Sequence, residues 1–145
     1  MAAYVAWREA IVTSLITEVR EAIHAVSPRT EVRLFATPGA QPPDGVRATE
    51  LADGVLSGYA SSDVEAQRRA RELRDLAGDT PVHGMVRAIA PDTVDPAQIA
   101  PRVLAWREGG VAGINFYNYG LMTLPMLAAI GAALRRGESP SRSDG

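Results

Sequence analysis

The stretch PVHGMVRAIAPDTVDPAQIAPRVLAWREGGVAGINFYNY, residues 81–119, holds two short apolar runs separated by a helical segment. Residues 81–89 and 111–119 have the composition of strands. Between them, Asp95-Pro96 is a typical helix start and Gly109-Gly110 a typical helix end. A connection of this length joins parallel strands, because antiparallel neighbours need only a tight turn. The stretch therefore predicts one strand–helix–strand unit of a parallel sheet.

The same alternation continues on both sides of this unit. Residues 3–26 predict a long amphipathic helix, which Ser27-Pro28 ends because proline disfavours helical geometry in the residue before it. Its apolar stripe comprises Val5, Ile11, Val12, Leu15, Ile16, Val19, Ile23 and Val26. The other predicted elements are strands over residues 31–36 and 55–59 and helices over residues 64–78 and 124–136.

The order is thus one helix followed by four strand–helix units. A complete (β/α)8 barrel takes about 250 residues, so this order corresponds to half of one, beginning with the fourth helix. We interpret residues 1–136 as a single α/β half-barrel domain and residues 137–145 as a disordered tail. An open flavodoxin-like parallel sheet is the alternative, and it would require strands that are apolar on both faces.

Composition excludes several classes of function. The 145 residues are 46% hydrophobic and 22% charged with a net charge of −2, which is typical of a globular domain and offers no basic face for nucleic acid. The sequence contains no stretch long enough to span a membrane and no signal peptide, so we expect a cytoplasmic protein that binds neither membrane nor nucleic acid.

The residue types that are absent exclude several kinds of chemistry. The chain has no Cys, and all of its basic residues other than His are Arg, so it cannot use a thiol nucleophile or form a Schiff base. His24 and His83 are the only histidines, too few for a His-rich metal centre. We therefore expect no metal and no cofactor.

Alternation of side chains sorts each predicted strand into two faces. One face is apolar and suits packing under helices. The other is polar and aromatic, and comprises Arg33, Phe35, Thr37, Ser57, Tyr59, His83, Met85, Arg87, Asn115, Tyr117 and Tyr119. Barrel active sites lie at the carboxyl ends of the strands. The predicted substrate-binding residues at that end are Thr37, Tyr59, Arg87, Tyr117, Asn118 and Tyr119.

Aromatic rings beside hydrogen-bonding groups can stack on a sugar ring and bond its hydroxyls. The alternative for Tyr59, Tyr117 and Asn118 is ordinary packing with a satisfied hydroxyl or amide. Arg87 either binds an anion or a catalytic carboxylate, or forms a structural ion pair. His83 is expected in the core, toward the floor of the barrel.

Three segments resemble the C-terminal half of bacterial glycoside-hydrolase-like (β/α)8 proteins. They are the leading helix with Tyr4 and Trp7-Arg8, ADGVLSGYA (residues 52–60) and GINFYNYGLM (residues 113–122). The resemblance implies that catalytic acids lie on earlier strands and that later strands line the sugar site. It thus implies a carbohydrate-active half-barrel that is active only when another half completes it, with catalytic residues unknown.

The alternative is a non-catalytic subunit, either truncated or completing a partner. Four parallel strands leave two unpaired edges, so we expect a homodimer or a complementary barrel half. A sugar-phosphate lyase or isomerase is disfavoured, because the chain has no Lys and no convincing phosphate loop.

Overall fold

The computed structural model describes residues 2–36 and 52–136, which form four helices and four strands. The elements are α1 (Ala2–Val26), β1 (Arg33–Ala36), β2 (Gly54–Ser57), α2 (Asp63–Ala77), β3 (Val82–Arg87), α3 (Ile99–Glu108), β4 (Gly113–Tyr117) and α4 (Leu124–Arg135). A short 3-10 helix, Pro96–Gln98, leads into α3, and another, Tyr119–Leu121, follows β4. Thr37 and the predicted tail lie outside the described residues.

The four strands form one parallel sheet in the order β1-β2-β3-β4. Each strand therefore lies beside the next one along the chain, as in the wall of a barrel. A flavodoxin-like sheet would have its first two strands exchanged. The sequential order thus confirms the α/β half-barrel and excludes the alternative arrangement.

Helices α2, α3 and α4 cover one face of this sheet. Trp106 of α3 is completely buried there, and the absence of a side chain at Gly84 of β3 lets its ring approach the strand closely: a Cβ at Gly84 would lie 2.5 Å from Trp106 Cδ2. A second apolar cluster lies under α2, where Val55 of β2 packs with Leu73. Dense packing of this kind leaves little room for change in side-chain volume.

The helix starts follow the predicted chemistry. The Ser62 hydroxyl accepts a hydrogen bond from the Glu65 backbone N–H, and the Asp95 carboxylate accepts one from the Ala97 backbone N–H. The carboxylate of Asp63, the first residue of α2, does not cap the helix but accepts a 2.6 Å hydrogen bond from Arg102 Nε. Ser62 is therefore the cap of α2.

Helix α1 departs from the prediction of a single apolar stripe. Ile11, Leu15 and Val19 are exposed, whereas Val12 and Ile16 are half-buried. The apolar residues of α1 occupy two adjoining faces, because a helix turns about 100° per residue. One face is turned toward the protein, and the other remains uncovered among the described residues.

The predicted faces of β2 are also wrong. Leu56 pairs in register with Phe35 and His83, so Leu56 lies on the open face. Ser57 points toward the face that the helices cover and is completely buried. Its hydroxyl donates a hydrogen bond to the Gly58 carbonyl. The faces of β1, β3 and β4 are as predicted: Phe35 pairs with Leu56 on the open face, and Arg87 pairs with Tyr117.

Candidate binding site at the carboxyl ends of the strands

Three predicted site residues meet at one end of the sheet. Arg87 ends β3 and pairs in register with Tyr117, which ends β4. Tyr59 lies two residues beyond the end of β2, and its ring centroid is 5.4 Å from that of Tyr117. The guanidinium carbon of Arg87 lies 5.5 Å from the centroid of the Tyr59 ring. We call Tyr59, Arg87 and Tyr117 the tyrosine–arginine cluster.

Arg87 occupies a partly buried and charged position within this cluster. Its Nη1 lies 3.6 Å from Asp92 Oδ2, which makes an ion pair rather than a close hydrogen bond. Its Nε is buried and has no hydrogen-bond partner among the described residues. Of the alternatives for Arg87, the structure thus shows an ion pair, in which the buried Nε makes no hydrogen bond.

The loop that carries Asp92 is held against β3. The Thr93 hydroxyl donates a 2.7 Å hydrogen bond to the Arg87 carbonyl, and the Thr93 backbone N–H donates to the Ile89 carbonyl. Thr93 is almost completely buried. These bonds fix the start of the loop and therefore the position of the Asp92 carboxylate beside Arg87.

Tyr59 is held in its neutral form. Burial raises the pKa of its phenol above the ordinary value of 10, and the neighbouring Tyr117 and Asp92 raise it further. Arg87 acts in the opposite direction but does not cancel the rise in pKa. At neutral pH the Tyr59 hydroxyl is therefore both a hydrogen-bond donor and an acceptor.

The other predicted site residues lie in the turn that follows β4. The Leu121 backbone N–H donates to the Asn118 carbonyl and that of Met122 to the Tyr119 carbonyl, which closes the 3-10 turn. Tyr119 is 76% exposed. The structure thus brings Tyr59, Arg87 and Tyr117 together, and it places Asn118 and Tyr119 on the adjoining turn.

A groove of about 250 Å³ lies between the loop after β3 and the turn after β4, on the side of the sheet that the helices cover. Its lining includes Ala88, Thr93, Leu121 and Met126, so it is mostly apolar. Tyr59, Arg87 and Tyr117 do not line this groove, so the site at this end of the sheet consists of the aromatic rings and the guanidinium of the cluster. Such a combination can hold a small polar molecule with an apolar face.

Sequence reasoning missed one buried polar contact near this end. Arg102 of α3 is buried, and besides bonding Asp63 its Nη1 donates a 2.6 Å hydrogen bond to the Ala60 carbonyl. This bond fixes the residue that follows Tyr59. The signal in the sequence is the position of Arg102 on the stripe that includes Ile99 and Trp106.

The two histidines lie away from the cluster. His83 stands between Gly54 and Gly113 of the flanking strands, and burial, followed by the charge of Arg33, lowers its pKa. His24 Nε2 lies 3.0 Å from Asp53 Oδ2 at the other end of the sheet. Within residues 2–36 and 52–136, no group of three His, Asp or Glu side chains could hold a metal ion.

Comparison with known proteins shows the fold alone. No family model and no curated protein matches the chain. Its structure is similar to a crystal structure from Toxoplasma gondii ME49, titled as that of a "putative deoxyribose-phosphate aldolase". The TM-score is 0.61 at 14% sequence identity, and the match covers 87% of this chain and 54% of the other. The chain therefore spans about half the length of this barrel relative.

The comparison confirms a partial (β/α) barrel. At 14% identity it carries no information about the reaction or the ligand. No helix in the described part of the chain is long and apolar enough to cross a membrane.

Proposed function

We propose that this chain is a carbohydrate-active half-barrel, active when another half completes it, whose tyrosine–arginine cluster forms one wall of a sugar pocket. The observation that carries the proposal is the convergence of Tyr59, Arg87 and Tyr117 at the carboxyl ends of three consecutive strands. Ligand sites of barrels lie at this end. The resemblance of residues 52–60 and 113–122 to glycoside-hydrolase-like barrels supports the same ligand class.

The chemistry of the cluster suits a sugar. The apolar face of a pyranose ring packs on an aromatic ring, while its hydroxyls need donors and acceptors at the edge. Tyr117 is 43% exposed and offers such a ring. The neutral Tyr59 hydroxyl and the Arg87 guanidinium supply hydrogen bonds, and Asp92 adds an acceptor 3.6 Å from Arg87.

A second candidate is a non-catalytic binding subunit. Hydrolysis of a glycosidic bond by the usual route needs two carboxylates that flank the bond. One carboxylate lies beside the cluster, that of Asp92, and Arg87 forms an ion pair with it. This chain would then bind the sugar, and any further carboxylate would come from outside the cluster.

Binding is tested by saturation-transfer NMR with a panel of neutral and acidic mono- and disaccharides. Arg87→Ala should weaken binding about tenfold or more, because it removes the cationic donor from the cluster. Arg71→Ala is the matched control, since Arg71 is exposed on α2. Circular dichroism checks that both variants are folded. Equal binding by the two variants, or no binding by the unaltered chain at millimolar sugar, would contradict the proposal.

A hydrolysis screen distinguishes the two candidates. Aryl glycosides release a coloured phenol on cleavage, so turnover is read directly. Turnover that is lost in Asp92→Asn would discard the non-catalytic candidate. Sugar binding without turnover would favour it.

A further inference from the structure

Both edges of the sheet carry a groove between the edge strand and a helix. Beside β1 an apolar groove of about 260 Å³ is lined on the helix side by Leu15 and Val19 of α1 and on the strand side by Leu34. Beside the start of β4 a groove of about 200 Å³ is lined by Ile114 and Leu134 together with the charged Arg107. The described residues thus leave a seam at each end of the strand order, apolar at β1 and mixed at β4.

The first seam continues along α1 as an exposed apolar stripe. Its large members recur every three or four residues and so share one face of the helix. They are Tyr4, Trp7, Ile11, Leu15 and Val19, each 44–59% exposed. A contiguous apolar stripe on a helix of 25 residues, about 37 Å long, is typical of a protein–protein contact.

The face of the sheet opposite to α2, α3 and α4 is also incompletely covered. Phe35 of β1 is 51% exposed, and Leu56 of β2 is partly exposed on the same face. In a closed barrel this face would line the interior, where side chains from all strands fill the space. Its exposure is the feature expected of half a barrel.

We propose that a second copy of this chain covers these surfaces and closes an eight-stranded barrel. A two-fold axis along the barrel preserves strand direction, so β4 of one copy lies parallel to β1 of the other. The same rotation forms two identical seams. Each copy supplies four strands, and the chain spans 54% of the barrel protein that its fold matches.

Charge favours a second copy as the occupant. Helices of a barrel run in the same direction, so the C-terminal half of α1 would lie beside the C-terminal end of the partner's α4. The first carries exposed Glu18 and Glu21, while its Arg20 and His24 are paired with Asp53, and the second carries exposed Arg135, followed by Arg136. These charges are opposite in sign, which favours the approach of the two helices.

The second copy would also complete the site. The tyrosine–arginine cluster forms only one side of a space that the half-barrel leaves open, and closure would place the partner's strands opposite to it. This inference does not rest on sugar binding, because it follows from the seams and the strand edges alone. Dimerisation and ligand binding can therefore fail independently.

Light scattering after size exclusion tests the association. We expect a mass of twice the 15.4 kDa of one chain. Leu15→Asp should convert the dimer to monomer, because it places a charge in the seam. Leu104→Asp is the matched control: Leu104 is 55% exposed against 59% for Leu15, but lies on α3, between α2 and α4. A monomeric unaltered chain, or equal masses for the two variants, overturns the proposal.

Cross-linking tests the arrangement of the two copies. The chain has no Cys, so Phe35→Cys on β1 and Asn115→Cys on β4 each introduce a single thiol. Chains carrying one change are mixed with chains carrying the other, and a short thiol cross-linker is added. A covalent pair of the two different chains is expected. A dimer that gives no such pair has another interface, such as α1 against α1, and that result also overturns barrel closure.

Discussion

The rings of Tyr59 and Tyr117 lie 5.4 Å apart although Tyr59 follows β2, Tyr117 ends β4, and these two strands are not neighbours. Two strand spacings amount to about 9.6 Å, so both side chains lean over the end of β3. Arg87 ends β3, and its guanidinium carbon lies 5.5 Å from the centroid of the Tyr59 ring. The contact between the two rings requires the Tyr59 side chain to point toward the open face of the sheet. Strict alternation along β2 would point it the other way, and the chain departs from that alternation after Gly58.

Tyr59 should ionise at a higher pH than is ordinary for a tyrosine. Burial and the neighbouring Tyr117 raise its pKa, so the folded state holds the phenolic proton more tightly than the unfolded state. The associated stability is present at neutral pH and is lost as pH rises above 10 through the raised pKa. The absorbance of ionised tyrosine, followed as the pH is raised, should show a late step at high pH that is missing in Tyr59→Phe. A late step that persists in this variant would assign the raised pKa elsewhere.

Asp53 should make the stability of the protein sensitive to acid. A hydrogen bond from Arg20 is the main cause that lowers the pKa of Asp53 from 3.8 to about 2, and the Val32 backbone N–H contributes. The ionised carboxylate therefore stabilises the fold above pH 4, and this stability is lost as pH falls toward 2.

The matching variant is Asp53→Asn. At pH 7 it should lower the free energy of unfolding by about 1–2 kcal/mol, a value reduced for the partly exposed Arg20 partner. The difference from the unaltered protein should shrink between pH 4 and pH 2. Urea unfolding at several pH values measures it, and a difference independent of pH would show that the charge of Asp53 is not its cause.

Arg102 should be among the least replaceable polar residues. Arg102→Met keeps much of the side-chain volume but removes the hydrogen bonds to Asp63 and to the Ala60 carbonyl, and should cost about 2–4 kcal/mol. Asp63→Asn should cost less, because Asp63 is half-exposed and the bond to Ala60 remains. Denaturant midpoints give the order of the variants, and equal midpoints for both would contradict this account.

The strand order could be predicted from the sequence because each unit has its own local signals. Apolar runs, helix caps and Gly stops lie within a few residues of the elements that they define. The predicted faces of Arg87 and Tyr117 are correct, because β3 and β4 are long enough for their side chains to alternate regularly between the two faces of the sheet. In β2 the side chains stop alternating between the two faces after the fourth residue. Tyr59 therefore lies in the predicted cluster, whereas Ser57 is buried on the opposite face.

The parts that could not be predicted depend on tertiary contacts. The apolar residues of α1 cover two adjoining faces, and the sequence does not tell which of them β1 covers. The contact of Arg102 with the Ala60 carbonyl joins residues 42 positions apart. No local pattern encodes such a distance, although an Arg on an otherwise apolar stripe is a sign that a buried partner exists.

Gly84 should tolerate no side chain. It lies on β3 beneath Trp106, where a Cβ would come within 2.5 Å of the indole ring, and that ring is fully buried and cannot move aside without disturbing the core. Gly84→Ala should therefore lower the free energy of unfolding by about 1–3 kcal/mol. Gly120→Ala is the matched control: Gly120 lies in the exposed turn after β4, where the nearest atom to a new Cβ is 4.0 Å away, and its effect should stay within about 0.5 kcal/mol. Denaturant unfolding of both variants measures the difference, and similar midpoints would mean that Trp106 packs less closely on the strand than the structure shows.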